Sequence, residues 1–363
     1  TLALPAVVAE LRQVVNDSTV RRPRRAAAAR RVARLAAAGV PGAHPDDWWG
    51  LRPLSDERPV AEPDETVQLS PSMVEAVQRC GLRWLLERHG GSTPPSVEQT
   101  VGNLVHAVAA EAASPDAEPQ ALYRFLDEHW GVVEVAARWE QGRKRDAAEK
   151  MVKRLVDWLA ANPRELLGAE KGFRVTLPGE VDGAGGPEVE IVGAVDRIER
   201  DADGRLVVID FKTGKSAPRN GDVASHPQLG TYQLAIALGG FAELAGDPDG
   251  TPAEPGGAAL VHLGKDRRDG PEQQQPALGE ADDPQWADRM VRAAASAMAA
   301  PRFTAQVNDY CAICPVSASC PVSEHGRQVI EPAGAGQGPA PKAGPGKPSA
   351  PGPGAPAGGD GDD

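Results

Sequence analysis

The sequence predicts an α/β fold with a helical preface, and three observations carry that reading. Apolar residues recur at helical spacing through most of the first 160 residues, the period that buries one face of a helix. β-rich runs then follow at 172–177, 188–199 and 205–212. A further run at 258–263 comes after an apolar helix at about 227–239. Helices, then a β-meander, then helix and strand is the order of helices packed on a sheet. At 363 residues the chain exceeds one typical core, so two or three units are expected. Its 41% apolar residues suffice for a sizeable interior.

Residues 5–16 and 24–38 read as helices, the second rich in Ala with Arg24, Arg25, Arg30, Arg31 and Arg34. Ala and Arg both favour helix. The arginines are either a solvated face or a stripe turned to phosphate or a partner. Residues 39–66, rich in Pro, Gly and Asp with Trp48-Trp49 as an apolar anchor, read as a connector. A second unit starts at Ser70, where Ser70 or Ser72 can cap a helix and Pro71 suits its first turn. Ser72 with Glu75 forms a capping box, and the helix runs to Gly90-Gly91. Helices follow at about 98–113, 118–138 and 142–161, and a last one at about 283–299 carries Trp286, Met290, Val291 and Met298 on one side. From about Glu331 the chain is Pro, Gly and Ala, too poor in apolar surface to order itself. The expected division is a helical connector over 1–66, a core over 67–330 and a disordered tail over 331–363.

Composition narrows the function. No run of eighteen apolar residues occurs, so no membrane helix is expected. The chain starts at Thr1 without a charged start and apolar segment, which suggests a piece of a larger cytoplasmic protein rather than a secreted one. Four Cys in this length are not a disulfide scaffold. A net charge of −12 disfavours free-standing, non-specific nucleic-acid binding.

The most informative stretch is Val192-Gly193-Ala194-Val195-Asp196-Arg197-Ile198-Glu199, a turn, then Leu206-Val207-Val208-Ile209-Asp210-Phe211-Lys212-Thr213-Gly214. Two β-rich runs flank Asp201-Ala202-Asp203-Gly204, a hairpin signature. Asp210 and Lys212 lie two apart and share one strand face, while Phe211 points to the other. A two-residue loop would set Asp196 opposite Ile209; the three-residue loop Ala202-Asp203-Gly204 sets it opposite Asp210. The three-residue loop is expected, because it places Gly204 at the left-handed position. Two carboxylates this close repel, and a hard divalent cation between them removes the conflict. Lys212 can then orient water or stabilise charge growing on a phosphate. A surface hairpin with solvated Asp and Lys is the plain alternative. Lys212-Thr213-Gly214-Lys215-Ser216 resembles a phosphate loop only in part, since Ile209 stands where that motif needs its first Gly.

Other positions could complete the site. His106 lies one turn beyond Gly102, and its imidazole could join Asp196 and Asp210, with the Phe211 carbonyl as a fourth ligand. Gln228 and Tyr232 share one helix face and could hold a phosphate or the lysine. Glu170, just before the first strand, is a weaker member of the set. The four cysteines, Cys80 and Cys311-x-x-Cys314-x-x-x-x-x-Cys320, fit one site binding zinc or an iron–sulfur cluster. Closing so long a loop could stabilise the fold by up to roughly 5 kcal/mol.

Taken together these residues resemble the RecB-like branch of the PD-(D/E)XK nucleases, and more narrowly the iron-staple subgroup at the C-termini of AddB- and AdnAB-type helicase–nucleases. The motifs that carry the resemblance are Ser70-x-Ser72 through Cys80, Gly102-x-x-x-His106, Gly193-x-x-Asp196-Arg197-Ile198, Asp210-Phe211-Lys212-Thr213-Gly214, Gln228-x-x-x-Tyr232 and the cysteine trio, in that order over about 68–322. Gly81 departs from the pattern, since relatives often have Pro there. The resemblance implies a mixed central sheet flanked by helices. It also implies Mg²⁺ or Mn²⁺ at His106, Asp196 and Asp210, a catalytic Lys212, and a [4Fe–4S] cluster on Cys80, Cys311, Cys314 and Cys320, with structural Zn²⁺ as the alternative. The implied activity is exonuclease-type hydrolysis of unwound DNA during double-strand break processing. The strand would arrive single-stranded from a helicase domain upstream in the same chain, and a second helicase–nuclease subunit would be a partner. A catalytically silent DNA-binding or assembly domain is the rival reading.

Overall fold

The computed structural model describes residues 4–45, 58–62, 65–91, 96–114, 117–133, 138–179, 186–245 and 253–323. Trp48, Trp49 and the expected tail lie outside them. Helices α1 (Leu4–Asn16) and α2 (Arg22–Ala37) pack together and bury Val8, Ala28 and Val32. Arg24, Arg30, Arg31 and Arg34 are exposed on α2. The next elements are β1 (Val67–Leu69), α3 (Pro71–Arg79), α4 (Gly81–Leu86), α5 (Val97–Glu111), α6 (Pro119–His129) and α7 (Arg138–Ala161). Then come β2 (Glu165–Leu177), β3 (Val189–Arg200), β4 (Leu206–Lys212), α8 (Asn220–Val223), α9 (Pro227–Ala237) and α10 (Ala242–Ala245). The series closes with β5 (Pro255–His262), β6 (Glu272–Gln275) and α11 (Trp286–Ala299).

Among the described residues the six strands form one mixed sheet, ordered β1-β3-β4-β5-β6 with β2 also on β3. β2 runs antiparallel along nearly the whole of β3, from Glu165↔Arg200 to Leu177↔Val189. The other edge of β3 is shared: β1 pairs in parallel at Val189–Ile191, and β4 pairs antiparallel at Arg197–Arg200. Residues 192–196 lie between the two, where β3 and β4 have diverged. β4 is nearly all buried, because both of its faces are covered. Leu206 and Val208 enter the core with α3, α9 and α11, while Val207, Ile209 and Phe211 enter the core with α5, α6 and α7. That is the period-two alternation of a strand.

The β3–β4 hairpin has the three-residue register: Arg200 pairs with Leu206 and Arg197 with Ile209. Asp201 N donates to Arg205 O at 3.0 Å, and Gly204 takes φ +83°.

Several boundaries differ from the expectation, each for a local reason. The long helix from Ser70 breaks at Cys80, whose backbone is extended (φ −169°, ψ 107°), giving α3 and α4. Ser70, not Ser72, caps α3 by accepting from Met73 N. The expected Ser72–Glu75 box does not form, because Glu75 instead pairs with Arg79 one turn on. A capping box does form at Ser96 and Gln99, starting α5. The helix expected over 118–138 stops at His129 and passes into a short 3₁₀ turn. β2 starts earlier than expected and takes in Glu170. Strands β1 and β6 are too short for the sequence pattern to predict.

A Cβ at position 204 would have nothing within 4 Å, so a substitution there isolates the backbone cost. Gly204→Val should lower stability by about 1–2 kcal/mol, the cost of a left-handed L-residue. Chemical denaturation measures it, and an unchanged midpoint would contradict the turn geometry.

Candidate active site

The site forms where β4 leaves β3. Beyond Ile209 the ladder to β3 ends, and Phe211 N donates instead to Asp196 Oδ2 at 2.6 Å. A side-chain carboxylate thus satisfies a main-chain donor that a strand would otherwise take. The Phe211 ring goes to the opposite face, edge-on to Trp158 at 5.6 Å. Asp210 and Lys212 share the first face, as alternation requires.

Helix α5 brings the histidine. A Cβ on Gly102 would lie 2.7 Å from Thr213 Oγ1, so α5 seats closely against the end of β4 at a glycine, and a larger residue there would make Thr213 shift. One turn later His106 Nδ1 lies 3.3 Å from Asp196 Oδ1. On the other side, β2 supplies Glu170 between the pairs Ala169↔Arg197 and Lys171↔Val195, hence across from Asp196. Among the described residues Glu170 is the one non-glycine with positive φ, at +48°, a conformation that costs energy and gathers at functional sites. His106, Glu170 and Asp196 each offer a donor atom, all within 4.8 Å of one another.

The second half of the site is a polar chain. Lys212 Nζ lies 2.8 Å from Asp210 Oδ2 and donates to Gln228 Oε1 at 2.6 Å. Gln228 Nε2 donates to Asp210 Oδ1 at 2.8 Å and to Tyr232 OH at 3.2 Å. Tyr232 OH in turn donates to Ala194 O at 3.3 Å. Gln228 therefore fixes the spacing of carboxylate, ammonium and phenol. Its place on α9, one turn before Tyr232, makes this possible.

The electrostatics suit a cation. Burial pushes the Asp210 carboxyl up to about 6; Lys212 opposes that rise and Asp196 adds to it. Burial and then the Asp196 charge raise Glu170 as well. Burial disfavours charge on His106, yet Asp196, Asp210 and Glu170 outweigh it and raise its pKa. Burial acts the same way on Lys212, and the Asp210 carboxylate outweighs it, so the ammonium stays charged. Burial, then Asp210, keeps Tyr232 protonated. Asp210 Oδ2 is buried and accepts no hydrogen bond of good geometry despite the nearby ammonium. Carboxylate oxygens with an imidazole, an open lone pair and mutual repulsion fit a hard divalent ion.

Asp196, Asp210, Lys212, His106, Gln228 and Tyr232 thus meet in one place. Two details differ from the sequence expectation. Glu170, ranked lower from sequence, belongs to the tight donor trio, whereas Asp210 faces Lys212 and Gln228. Phe211 acts here through its N–H.

The sequence reading missed β6. Gln275, buried, donates through Nε2 to Val223 O at 2.9 Å and His226 O at 3.2 Å, and accepts from Gln233 Nε2 at 2.8 Å. These bonds hold the segment that starts α9 and so place Gln228. A Glu-Gln-Gln-Gln strand has no apolar alternation to betray it; only unusual glutamine density could have drawn notice.

A comparison with protein families matches residues 68–321 to the PD-(D/E)XK nuclease superfamily. The chain belongs to that superfamily. PD-(D/E)XK proteins are typically metal-dependent nucleases with DNA as substrate. The mixed sheet flanked by helices is the PD-(D/E)XK fold. Comparison with curated proteins found no match. Among solved structures, SSO0001 aligns at 16% identity over 72% of this chain and 89% of its own, with a TM-score of 0.34. No helix among the described residues is long and apolar enough to cross a membrane.

All four cysteines line one cavity of about 300 Å³. Cys80 is buried and Cys311 exposed. The C-terminal segment is fastened beside Cys80: Leu82 N donates to Thr304 O at 3.2 Å, Asn308 Nδ2 to Arg79 O at 3.0 Å, and Arg79 lies 4.4 Å over the Tyr310 ring. Among the described residues no three of the sulfurs lie within 4.8 Å of one another.

Protons compete with a cation for Asp210 and His106. Both pKa values are raised, so affinity for a divalent cation should fall as pH drops from above 6.5, where His106 takes up a proton, through about 6, where Asp210 does. Calorimetric titration above and below that range checks this. Affinity that ignores pH would mean that the cation meets neither Asp210 nor His106.

Proposed function

We propose that this chain is the nuclease module of a RecB-like helicase–nuclease of the AddB/AdnAB type, hydrolysing phosphodiester bonds of DNA unwound by a motor. The observation that carries the reading is the convergence of Asp196, Asp210 and His106 with Lys212 at the divergence of β3 and β4. A catalytically silent binding domain has no need of a buried carboxylate with a second, repelling carboxylate and an ammonium beside it. In this reading residues 1–66 connect to an upstream helicase domain, 67–330 form the nuclease and 331–363 are a tail. A second helicase–nuclease subunit is the expected partner.

His106, Asp196 and Asp210, with Glu170 and the Phe211 carbonyl, would hold Mg²⁺ or Mn²⁺. A bound ion would lower the pKa of water and offset charge on the phosphate. Lys212 is kept charged by Asp210, so it acts as a hydrogen-bond donor and electrostatic anchor rather than as a base. From its place between Asp210 and Gln228 it can orient water and stabilise negative charge in the transition state. Gln228 and Tyr232 hold that lysine and carboxylate in register.

The cysteines form the second part of the proposal, a [4Fe–4S] cluster joining the start of the core to its end. Tetrahedral zinc would draw thiolates to about 3.8 Å from one another, given bonds of about 2.3 Å. All four cysteines line one cavity, which is what supports a shared metal site there.

Asp210→Ala should lower metal-dependent cleavage of end-labelled single-stranded DNA by about a hundredfold or more, the scale of lost electrostatic catalysis. Near-parental cleavage would sink the site assignment. The purified protein should be brown with absorbance at about 400 nm, whereas zinc is colourless. Cys80→Ala should bleach that absorbance and lower the melting temperature; unchanged melting would refute the staple.

A further inference from the structure

We propose that the loops leaving the ends of β4 and β5 form a rigid basic lip that binds the backbone phosphates of a nucleic-acid strand beside the catalytic lysine. This rests on the nuclease reading and names the surface that would receive its substrate. β4 and β5 are parallel, with Lys212 paired to His262, so residues 213–220 and 264–270 leave the sheet at the same end as Lys212.

The two loops are fastened to each other. Leu263 N and Gly264 N both donate to Lys212 O, at 2.8 and 3.1 Å. A Cβ on Gly264 would stand 1.9 Å from Thr213 O, so the second loop lies directly on the backbone that follows the lysine. Asn220 Oδ1 accepts from Arg267 Nη2 at 2.9 Å and from Gln273 Nε2 at 2.7 Å. Gln273 Nε2 also donates to Pro218 O at 3.2 Å. Such pinning lowers the ordering cost of binding.

Charge selects the ligand. The chain carries −12 overall, yet these two loops hold five cations against Asp266 and Asp269. Arg267 serves as a pin. Lys215, Arg219, Lys265 and Arg268 are exposed, and none forms an ion pair with another of the described residues. Unpaired cations on a fixed ridge next to a phosphodiester-cleaving site match a polyanion whose charges repeat along a chain, with affinity from counterion release. An acidic protein surface would not need the ridge to stand at the mouth of the active site.

The test uses single-stranded DNA as probe, with Asp210→Ala present to prevent cleavage. Adding Lys215→Ala, Lys265→Ala and Arg268→Ala should weaken binding about tenfold or more at low salt and flatten the log affinity–log salt slope by about 2, since each lost phosphate contact removes about 0.7. Melting should not change, because the three side chains are exposed. Lys150→Ala, an exposed cation on α7, should leave both affinity and slope as they were. Unchanged binding by the triple variant, or an equal loss with Lys150→Ala, overturns the lip. If the parent cleaves DNA while the triple variant binds normally, the lip alone fails; if the parent neither binds nor cleaves, the nuclease reading fails with it.

Discussion

The bond from Phe211 N to Asp196 is the constraint on which the site depends. Two strands that part inside a sheet leave main-chain donors facing each other across a gap, and a buried donor without a partner costs about 1–3 kcal/mol. Here the gap is closed by a carboxylate. That ties Asp196 to the backbone beside Asp210, while its other oxygen remains turned to His106. β2 pairs along the opposite edge of β3, past the point where β4 departs. The same sheet geometry therefore opens the cleft and fixes the groups inside it.

Around this point the protein concentrates unfavourable charge and compensates it unevenly. Asp210 is buried beside Asp196, and its raised pKa records the cost. Lys212 offsets part of that cost, and Gln228 bridges the two without adding charge. The glutamines of β6 extend this neutral, directional bonding outward: Gln275 grips the start of α9 and Gln273 grips the loop before it. Amides suit the task because each both donates and accepts, so a buried network can close without further ions. Net charge hides all of this. The value of −12 is a sum over the whole chain, in which the carboxylates of the site and the cations of the two loops are not told apart.

Most of the element pattern was legible in the residues. The β3–β4 hairpin followed from its turn, because only one loop length puts Gly204 where φ is positive. Alternation along β4 sorted Asp210 and Lys212 from Phe211 correctly. Apart from one competing pair inside a helix, the failures were decided by contacts distant in sequence. The segment from Ser70 keeps helical apolar spacing on both sides of Cys80, yet Cys80 is extended, and Leu82 N is bonded to Thr304 O far along the chain. Ser72 and Glu75 have the spacing of a capping box, but Arg79 competed for the glutamate. β1 and β6 are short and earn their strand state from neighbours rather than from patterning.

The sequence by itself determined the fold class, the hairpin register and the identity of nearly every polar group in the cleft, because turn chemistry and strand alternation are local. Tertiary structure alone decided how those groups share the work. It put Glu170 rather than Asp210 in the tight trio with His106 and Asp196, through a strained residue in β2 that no local pattern announces. It also drew four cysteines from the two ends of the core around one cavity and clasped two separate basic loops together. These outcomes depend on which strands diverge and which loops exit together, and such distances are set only when the sheet assembles.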